Sequence, residues 1–302
     1  MNTDPAKTLS FDPILPPAIA HKAETMGVTK ARLDTLSLLL LGILAGAFIS
    51  LGAAFATVVT AGSELPFGVS RLLGGLVFST GLILVVIAGA ELFTGNSLIV
   101  MAWASARIRT VELLRNWAIV FVGNFVGAVL TAAFVFFSGS YRFGNGVVGK
   151  KALAIAQAKL SLGFTEAVVL GILCNGLVCL AVWLTLSGRT TTDRILAVIF
   201  PITAFVAIGF EHCIANMYFV PIALFIVAGA PDAFWSSIST SPAAFESLGW
   251  IPFFTKSLVP VTLGNIVGGV VLVGGVYWVI YLRGDGLPRK RQREGEGAAS
   301  SE

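Results

Sequence analysis

Gly89-Ala90-Glu91-Leu92-Phe93-Thr94-Gly95-Asn96 and Gly209-Phe210-Glu211-His212-Cys213-Ile214-Ala215-Asn216 spell one pattern, G-x-E-x-x-x-x-N, twice. Each copy lies within an apolar run long enough to cross a bilayer. An ionised side chain at mid-bilayer costs from about 3 to more than 10 kcal/mol, depending on how it is measured. A carboxylate kept at two matching places is therefore expected to be in use, and paired interruptions in hydrophobic segments point to a transport pathway.

Working outward, six apolar stretches appear, roughly 35–60, 72–101, 117–137, 164–186, 195–227 and 258–281. A spanning helix needs about 20 residues, so each suffices, and the two holding the motif are longer than needed. Composition agrees: 56% hydrophobic residues, 12% charged and a mean hydropathy of +0.89 exclude an ordinary soluble domain. Residues 1–33 carry Asp4, Asp12, Glu24 and four prolines with no apolar core, so they are no signal peptide. The stretch 17–33 reads either as an amphipathic surface helix or as a polar lead-in. Residues 284–302 are rich in Gly, Arg and Glu and read as a disordered tail.

Charge placement orients the chain. Fourteen Lys and Arg fall on the side of the two termini and six on the other, so both termini are expected in the cytoplasm. The same excess accounts for the basic pI near 9.1, which leaves nothing for nucleic-acid binding to explain. The Arg289–Arg293 cluster reads as a topology anchor, with lipid headgroups as a weaker partner. Cys174, Cys179 and Cys213 lie in apolar runs without a CxxC pair or a Cys/His cluster, so neither a disulfide framework nor a metal site is expected.

The repeat is wider than the motif. Leu41-Gly42-Ile43-Leu44 in span one matches Leu170-Gly171-Ile172-Leu173 in span four, and Gly123-Asn124-Phe125-Val126-Gly127 in span three matches Gly264-Asn265-Ile266-Val267-Gly268 in span six. A three-span repeat enters the membrane in opposite senses in its two copies, the inverted-repeat arrangement. The expected fold is an all-α membrane protein of six transmembrane helices, with helices two and five broken. The expected boundaries are a cytoplasmic segment 1–33, a channel domain 34–283 with repeats 34–138 and 160–283, and the tail 284–302.

No Lys or Arg lies in either apolar run near Glu91 or Glu211, so backbone N–H groups, hydroxyls, water or a proton are their expected partners. Capping of backbone freed by the break comes first, with Asn96 and Asn216 in the same structural role; direct proton or ion handling comes second. Helices restarting near Gly95 and Ile214 turn their N-termini toward the centre and favour anions there. His212 stands where the other copy has Leu92, and is read as a pore group that donates a hydrogen bond or a proton to a small anion. Thr94, on the opposing break, is the second donor. Lys159 reads as an interfacial lysine or as an anion attractor at the mouth. Asn175, well inside span four, is placed to bond across the channel. By composition, Phe78, Leu82 and Phe205 are plain core residues.

The stretches 89–96, 209–221, 170–183 and 260–269 resemble the formate/nitrite transporter family, with the formate channels closest. The likeness runs from about Pro16 to Arg283. It implies an aquaporin-like fold assembled as a homopentamer in a bacterial inner membrane, with one pore per protomer. It implies passage of formate, and of nitrite or related anions such as hydrosulfide or lactate, with no cofactor. By position it makes Leu92, Phe93 and Thr94 a mobile pore loop, His212 the central pore histidine, Phe78, Leu82 and Phe205 the apolar constrictions, and Lys159 and Asn175 vestibule residues. The competing classes are weaker. A water or glycerol channel lacks its paired Asn-Pro-Ala boxes here, where Gly95-Asn96-Ser97 and Ala215-Asn216-Met217 stand. A gradient-coupled transporter needs saturating flux, and an intramembrane enzyme using Glu211 and His212 has no nucleophile motif.

Overall fold

The computed structural model describes residues 12–284. The expectations for Asp4, the 284–302 tail and its Arg289–Arg293 cluster fall almost wholly outside them. The described residues are helical, with six apolar runs long enough to span a membrane. In chain order, α1 is Pro16–Ala31, α2 Thr35–Thr60 and α3 Phe67–Ala88. After the first break a 3-10 turn, Gly95–Ile99, leads into α4, Val100–Ala104, and then α5, Thr110–Phe137. The second series is α6 (Val147–Leu160), α7 (Phe164–Ser187), α8 (Thr191–Ile208) and, after the second break, α9 (Cys213–Gly229). The short α10, Asp232–Ser237, precedes the last run. That run alternates α11 (Trp250–Pro252), α12 (Val259–Val267) and α13 (Val276–Tyr281) with π-helical stretches Phe253–Leu258 and Gly268–Gly275. Pro260 has no N–H for the carbonyl one turn back, and the wide π turn lies just before it.

Two helix crossings carry the repeat. α2 packs on α5, and α7 packs on α12. At the first, a methyl group on Gly127 would overlap the carbonyl of Ile43; at the second, one on Gly268 would overlap the carbonyl of Ile172. Backbones in contact at this range need glycine, and membrane helices pack through such small residues because lipid gives them no hydrophobic drive to associate. The Leu-Gly and Gly-Asn matches in the sequence are these contact points. α3 crosses α8 between the two crossings, with Gly75 against the Thr203 backbone.

The helices α1 and α6 enlarge the expected repeat. Lys30 of α1 stands as far before Leu41 as Lys159 of α6 does before Leu170, and Lys22 and Lys151 match in the same way. Both helices precede the first span of their repeat, so boundaries at 34 and 160 leave out one helix of each. α1 is docked on the bundle: Ile19, Ala20, Ala23, Gly27 and Ala31 are buried, and a methyl group on Gly27 would meet Ala102. Ser187 and Arg189 hold the Ile14 and Asp12 backbone at one end. Arg115 holds the Leu33 carbonyl at the other.

Candidate functional site

Both breaks begin in the same way. Gly89 ends α3 and Gly209 ends α8, each in the left-handed region at φ 85° and 94°. That conformation favours glycine. In each case the next N–H reaches back to close the helix: Ala90 to the Val85 carbonyl at 2.9 Å and Phe210 to the Phe205 carbonyl at 3.0 Å. Closures of this kind satisfy the orphan carbonyls of a helix end.

The extended backbone that follows is held by a neighbouring helix and an asparagine. Glu91 N–H donates to the Leu41 carbonyl (3.2 Å) and Glu211 N–H to the Leu170 carbonyl (3.3 Å). Asn124 accepts from Phe93 N–H and donates to the Gly42 and Glu91 carbonyls. Asn265 accepts from Cys213 N–H and donates to the Gly171 and Glu211 carbonyls. Each asparagine is fully buried and uses its oxygen and both amide hydrogens. Non-helical backbone at membrane depth is tolerated only with such partners. They also occupy N–H groups expected to face the pore: Phe93 and Cys213 donate to the asparagines, and Ala215 donates to His212 Nδ1 at 3.2 Å.

The carboxylates have partners unlike those expected from sequence. Lys30 Nζ lies 2.8 Å from Glu91 Oε1 and 3.1 Å from Asn96 Oδ1. Lys159 Nζ lies 2.9 and 3.0 Å from the two oxygens of Glu211. The motif asparagines donate to the same carboxylates, Asn96 to Glu91 and Asn216 to Glu211, each at 2.7 Å. Glu91 and Glu211 thus cap no helix. They are buried ends of ion pairs whose cations arrive from α1 and α6, outside the apolar runs. The effective cost of burying an ion is several kcal/mol, and only a partner with further hydrogen bonds offsets it. The last residue of the motif supplies those bonds.

Two cavities approach the breaks from opposite ends. The α1-side cavity, about 300 Å³, is lined by Lys22, Lys30, Arg194, Leu82, Glu91 and Leu92 among others. The α6-side cavity, about 320 Å³, is lined by Lys151, Lys159, Arg71, Phe78, Phe205, Glu211 and His212 among others. Each therefore carries two lysines, one arginine and one paired glutamate. Phe78 and Leu82, a turn apart on α3, face different cavities and are both buried, so the partition lies between them. Phe78 meets Phe205 edge-on at 5.6 Å, and Phe205 stacks on His212 at 5.9 Å.

His212 and Thr94 close the partition. His212 Nε2 is 2.9 Å from Thr94 Oγ1. Because Nδ1 accepts the Ala215 N–H, the single ring hydrogen sits on Nε2 and points at the threonine. Three of the expected pore residues, Thr94, Phe93 and Asn175, line neither cavity. The Phe93 ring packs on Trp117 and Phe121 and lines neither cavity. Asn175 Nδ2 lies near the Thr94 carbonyl (3.3 Å), Ser97 Oγ (3.2 Å) and the Asn265 carbonyl (2.6 Å), tying one break to the other. Lys30, Asn124 and Asn265 were missed as site residues. The asparagines were visible in the sequence as the second letter of the repeated Gly-Asn, and Lys30 through its spacing to Leu41. The three cysteines are free and buried, as apolar packing requires.

An inverted pair of broken helices meeting between two cationic cavities defines a channel-forming membrane protein. The chain belongs to the formate/nitrite transporter family, whose sequence profile matches residues 17–279. It is 47% identical over 274 residues to the formate channel FocA of Escherichia coli K12, covering 90% of this chain and 96% of that protein. It is 43% identical to FocA of Haemophilus influenzae, covering 88% and 94%. A solved pentameric formate channel with formate bound superimposes with a TM-score of 0.79 at 47% identity, over 82% of this chain and 98% of that one. An FNT family ion channel superimposes with a TM-score of 0.74 at 28% identity, over 87% and 98%. The family is one of transporters and channels, so the site moves a solute rather than transforming it.

Proposed function

We propose that the chain forms a homopentameric membrane channel for small monovalent weak-acid anions, formate first and nitrite second, with one pathway through each protomer. The observation that carries this reading is the Thr94–His212 hydrogen bond at the partition between two cavities of positive charge. On the positive-inside reading of the Lys and Arg excess, α1 and both termini face the cytoplasm and α6 the opposite side.

An anion entering either cavity is drawn by lysines and held off the apolar partition by its hydration. A bare charge there is costly, so passage requires donors inside the partition. When the Thr94–His212 bond opens, Nε2–H and the threonine hydroxyl are released to the anion. In this geometry His212 is a hydrogen-bond donor. Transfer of a full proton needs an imidazolium, and Nδ1 must then give up the Ala215 N–H. Asn175 positions Thr94 by holding its carbonyl. Phe93 anchors the loop against α5.

Formate and nitrite flux into proteoliposomes, across pH and membrane potential, tests the reading in wild type and in His212→Ala. Flux that follows the potential means the anion itself crosses. Flux that ignores the potential but tracks the pH gradient means the neutral acid crosses, and the second role of His212 holds. Absence of flux for both anions in wild type sinks the substrate assignment.

A further inference from the structure

We propose that Arg71 is a positioning residue for the α6-side constriction: its guanidinium ties the end of α8 to α3, fixes the aperture between Phe78 and Phe205, and so sets how large an anion passes. The inference rests on the anion-channel reading and adds a determinant of size selection to it.

Arg71 lies near the start of α3 and gives Nε to the Ala207 carbonyl and Nη2 to the Val206 carbonyl, each at 2.8 Å. Both carbonyls belong to the last turn of α8, where no N–H of the helix itself remains for them. A cation there also complements the helix dipole, and bonds from a charged donor are the strong ones. The Phe67 ring backs the guanidinium at 5.9 Å. A methyl group on Gly209 would come 2.9 Å from Arg71 Nη2, so the glycine that ends α8 also leaves room for the fork.

The tie joins the two helices that carry the constriction. Arg71, Gly75 and Phe78 follow one another at helical spacing along one face of α3. That face meets the end of α8, with Gly75 against the Thr203 backbone and Phe78 edge-on to Phe205. Phe205 in turn stacks on His212. Pro201 lies inside α8 and takes one hydrogen bond out of its ladder, so the final turns that hold Phe205 are less firmly bound to the rest of the helix. The Arg71 fork supplies the missing hold from outside.

The first break is built differently. Thr191 stands as far before Gly209 as Arg71 does before Gly89, and it is exposed. A threonine has one donor and no fork. The clamp is therefore one-sided and acts on the constriction facing the α6-side cavity.

The test is formate and lactate flux by full-length protein in proteoliposomes, corrected for protein-free vesicles and read as the lactate-to-formate ratio. Both probes carry one negative charge, so a change in the electrostatics of the cavity moves them together, and so does a loss of assembled protein. Arg71→Met raises the ratio about tenfold, the scale of one charge-assisted hydrogen bond. Arg71→Lys raises it less, because the charge returns without the fork. Phe205→Leu raises it too, and Arg71→Met adds less than about twofold in that background, because the arginine acts through the ring. Lys151→Gln, which takes a charge from the same cavity, lowers both fluxes and leaves the ratio as it was. An unchanged ratio in Arg71→Met overturns the proposal, as do an undiminished rise over Phe205→Leu and an equal rise in Lys151→Gln. If Arg71→Met fails to assemble, Arg71→Lys decides: a ratio equal to wild type refutes the fork. Wild type without formate flux removes the channel reading itself, which is a separate result.

Discussion

Thr94 and His212 belong to opposite halves of the chain, yet their side chains are joined by a 2.9 Å hydrogen bond at the meeting point of the two breaks. The second ring nitrogen of His212 caps α9 through Ala215 N–H. The residue thus has a structural face and a pore face, and a substitution separates them.

His212→Asn keeps a cap acceptor and loses the ring nitrogen facing Thr94. Thermal unfolding of this variant is expected to match wild type, while the formate flux loses its pH response. His212→Ala loses the cap as well, at about 1 kcal/mol. Equal pH profiles for His212→Asn and wild type count against a pore role.

Asn124→Ala and Asn265→Ala each orphan one N–H and one carbonyl of the broken segment inside the bundle, and take a second hydrogen bond from a helical glycine carbonyl. Unpaired buried groups cost about 1–3 kcal/mol each, so both variants are expected to express poorly as assembled protein. Because the two networks are copies, the losses should be similar. A silent substitution at either site, read by thermal unfolding in detergent, refutes their role as clamps.

Lys30→Met leaves Glu91 buried without its cation, as Lys159→Met leaves Glu211. Breaking a buried pair costs about 3–5 kcal/mol, whereas replacing both partners is far milder. Lys30→Met with Glu91→Gln is therefore expected to be more stable than Lys30→Met alone. Additive losses in the double-mutant cycle contradict the coupling.

Asp34 caps α2 by accepting Ser37 N–H at 3.0 Å, and the Ser37 hydroxyl first, then this N–H, lower its pKa. A depressed folded-state pKa means that the unfolded chain protonates first as pH falls. The contribution is whole above the ordinary carboxylate range and disappears as pH drops through the lower folded value. Asp34→Asn retains the cap and is expected to flatten the acid side of the stability–pH curve. An unaltered acid limb excludes Asp34 as its source.

Spans, breaks and inversion were legible because each leaves a local trace: apolar length, left-handed Gly89 and Gly209, and Gly127 and Gly268 where backbones touch. Partners that arrive from outside the apolar runs leave only a shared spacing, Lys30 to Leu41 and Lys159 to Leu170, which does not say what they pair with. The pairing of Glu91 with Lys30 joins residues 61 apart in sequence, and nothing in the motif says that α1 folds over it. The orientation of Phe93 was also hidden, since a broken segment has no periodicity to tell which side chain faces the pore and which faces Trp117.

The hydrogen bonds that anchor Glu91 to Leu41 and Asn124 recur at Glu211 with Leu170 and Asn265. An ion crossing the protein therefore meets nearly the same order of groups from either end, as a palindrome reads alike in both directions. Its centre is marked once, by a histidine answered by a leucine. Architecture of this kind imposes little direction of its own; direction falls to the electrochemical gradient of the species that crosses.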